Sequence, residues 1–175
     1  MEISEAIKHF LSPIYKVESV SKLHGEIDLN FKIDTCDKES FLLKLTLAKR
    51  ENTFQNKLEE FISGQDDFKG SKLVNTFKSN LEYRTKTYKA KLFNWVSGKV
   101  WDDLKLHREE LFTSLGEKAG ELTSLLNQFD CNTTHTEMDW DLNHSLWVEN
   151  FTNLFSDTEL SEILPVIKDF KSEFH

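Results

Sequence analysis

Apolar residues recur along this chain at two spacings, and the change between them near Ser97-Gly98 limits the folds open to it. Before that point they alternate with polar residues, the pattern of a strand with one buried face. Phe41, Leu43, Leu45 and Leu47 fall on one side of such a strand, and Leu42, Lys44, Thr46 and Ala48 on the other. Beyond Gly98 the spacing becomes three or four. Leu111, Leu115, Ala119, Leu122, Leu126 and Phe129 line one face of an amphipathic helix of roughly 20 residues. Trp147, Phe151, Leu154 and Phe155 predict a second helix. Ser156 with Glu159 is a capping box for a third, with Leu160, Ile163, Ile167 and Phe170 as its apolar set. Pro165 is expected to kink or restart that helix. The chain therefore reads as α+β, with a sheet part over residues 1–96 and a helical part over 97–175.

Within the sheet part, a short helix at about Ile3 to Leu11 ends before Pro13. Five strands are expected, at about Tyr15 to Leu23, Leu29 to Asp34, Phe41 to Leu47, Leu73 to Phe77 and Thr87 to Trp95. The short polar turn TCDKES makes the second and third a hairpin, so the sheet is expected to be antiparallel. Phe54, Leu58, Phe61 and Ile62 predict a helix from about Asn52 to Ile62, closed by Ser63 and Gly64.

Lys44 is the anomaly in this pattern. A buried ammonium without an anionic partner costs several kcal/mol, so its partner is a carboxylate or a ligand phosphate. The plainer reading is a lysine that guards an edge strand against aggregation. Thirty acidic residues against twenty-two basic ones give a net charge of −8, which argues against a nucleic-acid partner. No apolar run approaches the ~20 residues of a membrane span. Cys36 and Cys131 are isolated, and together with the short amphipathic N-terminal stretch they point to a reduced, cytoplasmic protein.

Several stretches in order carry a family likeness. LHGEIDLNFKI followed by FLLKL resembles the small-molecule kinases of the aminoglycoside phosphotransferase type, especially their hydroxylysine kinase-like branch, where a GE/RD-x-NF segment precedes a VLK strand. KLFNWVSGKV is similar to the family's hinge, LGEKAGELTSLLNQFD to its following helix, and MDWDL to the segment after that. The likeness covers roughly Tyr15 to Leu142. It implies a kinase-like N-terminal lobe of five antiparallel strands plus a helix, then helices of an incomplete C-terminal lobe, with ATP and Mg as cofactors of the complete parent. Lys44 would hold the nucleotide phosphates, and Gly25, Glu26 and Asp28 would form the turn over them. The backbone of Phe93, Asn94, Trp95 and Val96 would meet the adenine edge, with Leu23, Ile33, Leu42 and Phe93 as apolar walls. Gln55 stands where the family often has the helix partner of the lysine, and Glu59, one turn later, could replace it.

The family's catalytic loop has no counterpart. His24-Gly25-Glu26-Ile27-Asp28-Leu29-Asn30 imitates H-G-D-x-x-x-x-N, but it has Glu for Asp, a displaced Asn and the wrong place before the lysine strand. None of His9, His107, His135, His144 and His175 is followed by the required Asp and Asn. The chain is therefore expected to be an N-terminal fragment of a phosphotransferase acting on the hydroxyl of an amino alcohol or hydroxy-amino acid, not catalytically complete alone. The resemblance also implies a parent of the kind that can be fused to another enzyme domain, as in that branch. The alternative is a non-catalytic binding or scaffold module of the same shape. Apolar surface meant for the missing half predicts self-association. Trp140 and Asp141 could contact substrate, but a tryptophan at the start of a helix is more often part of the core; His135, Asp141 and His144 fit no strong metal-ligand spacing, and Asn132 heads a sequon without other signs of secretion.

Overall fold

The computed structural model describes residues 2–50, 52–105, 108–130 and 142–174. Its fold is α+β, with one antiparallel sheet of six strands plus helices. The chain divides into two compact units, Met1–Thr133 and Thr134–His175.

The first unit begins with helix α1, Ile3–Leu11, which buries Ala6, Ile7 and Leu11. Strands β1, Val17–Leu23, β2, Leu29–Thr35, and β3, Ser40–Leu47, follow as an antiparallel meander. Thr35 closes the β2–β3 turn: its Oγ1 accepts from the Glu39 N–H at 3.2 Å, and Lys38 adopts φ 64°. A 3₁₀ turn, Ala48–Arg50, leads into helix α2, Thr53–Ser63. Asn52 caps it, its side chain accepting from the Phe54 N–H at 2.9 Å. Strands β4, Leu73–Thr76, β5, Leu81–Tyr83, and β6, Lys86–Asn94, complete the sheet, and helix α3, Glu109–Leu126, follows a second 3₁₀ turn at Trp101–Asp103.

The expected five strands are thus six. The addition, β5, is three residues long and forms a hairpin with β6, Leu81 facing Tyr88 and Tyr83 facing Lys86. Its turn carries neither Gly nor Asn; Arg84 takes φ 54° instead, which removed the usual hairpin signal. The sheet order is β1-β2-β3-β6-β4, so β6 is central: β3 pairs along one edge, and β4 and β5 share the other.

One face of the sheet is the core. Phe31, Ile33, Leu43, Leu45 and Leu92 are at most 2 % exposed and cluster with Ile7 and Leu11 of α1. Each such side chain contributes roughly 1.5–3 kcal/mol on burial. The strand period that separates Leu43 from Lys44 leaves the other face polar.

In the second unit a 3₁₀ run, Leu142–Leu154, replaces the α-helix expected there, and helix α4 spans Asp157–Phe174. Pro165 lies inside α4 and does not restart it. The capping box forms: the Ser156 N–H donates to Glu159 Oε2 at 2.8 Å, and the Glu159 N–H donates to Ser156 Oγ at 3.4 Å. The Ser156 N–H, and then the Ser156 hydroxyl, which donates to Glu159 Oε2 at 2.7 Å, hold the Glu159 carboxyl below its ordinary range. Trp140, Asp141, His135, Asn132, Cys131 and His107 lie outside the described residues. Among the described residues no helix is long and apolar enough to cross a membrane.

On the polar face, Asp34 ties three strands together. It pairs with Lys32 Nζ at 2.8 Å and accepts from Ser40 Oγ at 2.6 Å and Ser19 Oγ at 2.9 Å. The Lys32 ammonium, then the Ser40 hydroxyl, pull its carboxyl down to about 2, against the opposing effect of burial. A depressed folded-state value means the stabilisation is present above the ordinary carboxylate range and lost as pH falls. Asp34→Asn should therefore be less stable than wild type at neutral pH in urea unfolding, with the gap closing as pH drops from about 3.8 toward about 2. A gap that is the same at every pH would refute the assignment.

Candidate functional site

The site grows from one transverse row of the polar face. Asn30, Lys44, Lys91 and Thr76 are direct neighbours across β2, β3, β6 and β4. Lys44 and Lys91 therefore stand side by side, and like charges in that position repel. Helix α2 resolves the conflict. Asn52, Asn56, Glu59 and Ser63 recur at helical spacing, and at least Asn56, Glu59 and Ser63 reach back to the sheet region. Glu59 Oε1 lies 3.4 Å from Lys44 Nζ, and its Oε2 lies 2.5 Å from Lys91 Nζ. Gln55, one turn earlier, donates from Nε2 to Glu59 Oε1 at 3.0 Å, and Asn56 Oδ1 accepts from Lys91 Nζ at 2.6 Å.

Glu59 is thus the helix partner of Lys44, and Gln55 orients Glu59. On its other side Lys44 Nζ lies 3.2 Å from Asp28 Oδ2. The four charged side chains are 11–20 % exposed and sum to zero net charge. Two opposed lysines and two carboxylates at this depth form a network in which each cation has an anion within reach.

Above Lys44 opens a cleft of about 520 Å³ lined by Leu23, His24, Glu26, Asp28, Leu42 and Lys44 among others. Gly25 shapes its rim. A Cβ there would come within 2.5 Å of Asn30 Nδ2 and of the Asp28 carbonyl oxygen, so the turn packs down only with glycine. Asn30 Nδ2 also donates to the His24 carbonyl at 3.4 Å.

The structure places Lys44, Glu26 and Asp28 in the lining of this cleft and Gly25 in the turn beside it, while Gln55 and Glu59 lie outside that lining and reach it only through Lys44. Phe93 sits beside Leu42 in the next row of the same face, 8 % exposed. Asn94, Trp95 and Val96 follow at the end of β6, outside the lining of the cleft. The Asn94 N–H and carbonyl are engaged by Lys72 and Ser71, the Trp95 N–H donates to the Ser40 carbonyl at 3.3 Å, and Lys32 Nζ lies 5.3 Å above the Trp95 ring. Ile33, expected among the apolar walls, belongs instead to the core on the opposite face. The period-two rule places it with Phe31 rather than with Lys32, so the displacement was readable in the sequence.

Lys91 and Asn56 escaped the sequence reading. Lys91 had a local signal, since it alternates with Tyr88, Ala90 and Leu92 as Lys44 does with its neighbours. Its position beside Lys44 depends on the β3–β6 register, which no local pattern specifies. Among the described residues no cluster of three His, Cys, Asp or Glu side chains is placed to hold a metal ion. No family model matches the chain, and no curated protein matches it in sequence.

Removing the shared carboxylate should cost more than removing either lysine. Glu59→Gln leaves two neighbouring ammonium groups short of an anion and is expected to lose about 3 kcal/mol in urea unfolding. Lys91→Met, which leaves Glu59 with Lys44 and Gln55, should lose no more than about 1 kcal/mol. The reverse order would show that Glu59 does not organise the site.

Proposed function

We propose that the sheet unit is a nucleotide-binding lobe of kinase-like fold, part of an ATP-dependent small-molecule phosphotransferase of the aminoglycoside phosphotransferase and hydroxylysine kinase type. The observation that carries this reading is Lys44: a strand lysine on the polar sheet face, flanked by a helix carboxylate and opening onto a cleft. In that role Lys44 neutralises the α- and β-phosphates. Gly25, Glu26 and Asp28 form the turn over them, Leu23, Leu42 and Phe93 supply apolar surface to the base, and the backbone of Trp95 and Val96, beyond Asn94 whose own N–H and carbonyl are taken up by Lys72 and Ser71, meets the base edge. The cytoplasm is the compartment that suits its isolated cysteines.

The acceptor in this reading is a hydroxyl of an amino alcohol or hydroxy-amino acid. Metal and base are needed for transfer as well as a lysine, and none of the six histidines carries the H-x-D-x(4)-N pattern. The chain by itself therefore has no assigned base or Mg ligand, and that observation favours a second reading, a binding or scaffold module that keeps the lobe without the chemistry. Turnover of ATP by any longer form containing this lobe separates the two.

Thermal melting with and without Mg-ATP tests the shared part of both readings. Saturating ligand should raise the midpoint of the wild type, with about 2.7 kcal/mol of stabilisation at a hundredfold excess over Kd, and Lys44→Ala should abolish the shift. No shift in the wild type, or an equal shift in the variant, rejects the nucleotide site. Self-association belongs to the same proposal, because Leu111, Phe112, Leu115, Leu122 and Leu126 of α3 are each more than a third exposed. Light scattering should show a mass that rises with concentration; a strict monomer at every concentration rejects it.

A further inference from the structure

Lys44 touches two carboxylates that are held in different ways. Glu59 is fixed from three sides, by Gln55, Lys91 and Lys44 itself. Asp28 comes from the turn between β1 and β2, and Lys44 is the ion-pair partner it has among the described residues. The packing of Gly25 on Asn30, the direct sheet neighbour of Lys44, brings this turn down over the lysine. The Asp28 carboxylate also lines the cleft, so it sits where an incoming anion would meet the ammonium.

We infer that Asp28 is an internal competitor for the anion site, and that the polyphosphate chain of a nucleotide binds by displacing it from Lys44. This inference rests on the nucleotide reading above. Lys91 makes the exchange feasible: when Lys44 turns to a phosphate, Glu59 keeps a cation at 2.5 Å and is not stranded as an uncompensated buried charge. The turn stays over the phosphates, and only the displaced Asp28 carboxylate swings to solvent. The observed affinity is then the intrinsic affinity reduced by the fraction of molecules whose Lys44 is uncovered. Asp28 thereby sets how much anionic charge a ligand must bring.

Titration calorimetry with Mg-ATP and with tripolyphosphate tests this on the wild type, Asp28→Asn, Glu26→Gln and the double variant Asp28→Asn with Lys44→Ala. Asp28→Asn should bind both probes about fivefold to tenfold tighter than wild type. Glu26→Gln removes the same charge from the same turn, where among the described residues no ion pair holds it, and should gain less than about twofold. The double variant should lose the gain. If Asp28→Asn does not fold, Asp28→Ser removes the same contact and should show the same tightening. Wild-type binding that Asp28→Asn leaves unchanged or weakens, or equal gains in Asp28→Asn and Glu26→Gln, overturns the competition while the nucleotide reading stands. Absence of binding to either probe in all the proteins overturns both.

Discussion

One carboxylate, Glu59, allows two lysines to stand next to each other on adjacent strands. Without it the β3–β6 register would set ammonium beside ammonium in a partly desolvated groove. With it, the same register becomes an attachment point for helix α2, whose polar stripe reaches the sheet while Phe54 and Phe61 turn to Phe129. The placement of α2 is thus an electrostatic matter on one side and an aromatic one on the other.

The sheet supports this division because its two faces do unlike work. Apolar side chains of β2, β3 and β6 pack with α1, and burial there supplies the main drive to fold. That drive holds the polar face in place, where Asn30, Lys44, Lys91 and Thr76 form one row and Ser19, Asp34 and Ser40 tie the strands together further along. Because β6 pairs along both edges, Lys91 cannot slip relative to Lys44 without breaking ladders to three other strands.

The polar row is also what makes a ligand site conceivable on this face. On the proposed nucleotide reading, a lysine whose two counter-ions are held by different numbers of contacts suits an anion that arrives and leaves, since one carboxylate can yield while the other remains compensated. A lysine locked between two fixed carboxylates would have no such capacity, because removing it would strand buried charge.

Much of this was legible in the sequence. Period two assigned Lys44 to the face opposite Leu43, TCDKES marked the hairpin, Asn52 and Gly64 bounded α2, and Ser156 with Glu159 marked the start of α4, all from contacts within a few residues. The same local rules missed β5, whose turn uses Arg84 in a conformation usually taken by Gly or Asn, and left Gln55 and Glu59 as alternatives because both lie on one helix face. Tertiary structure alone decided that Glu59 reaches Lys44, that Lys91 shares it, and that Asp28 closes on the lysine from above. Those pairings join residues 15 to 32 positions apart in sequence, and they follow from strand register and helix docking, which depend on the packing of the whole sheet rather than on any neighbour in the chain.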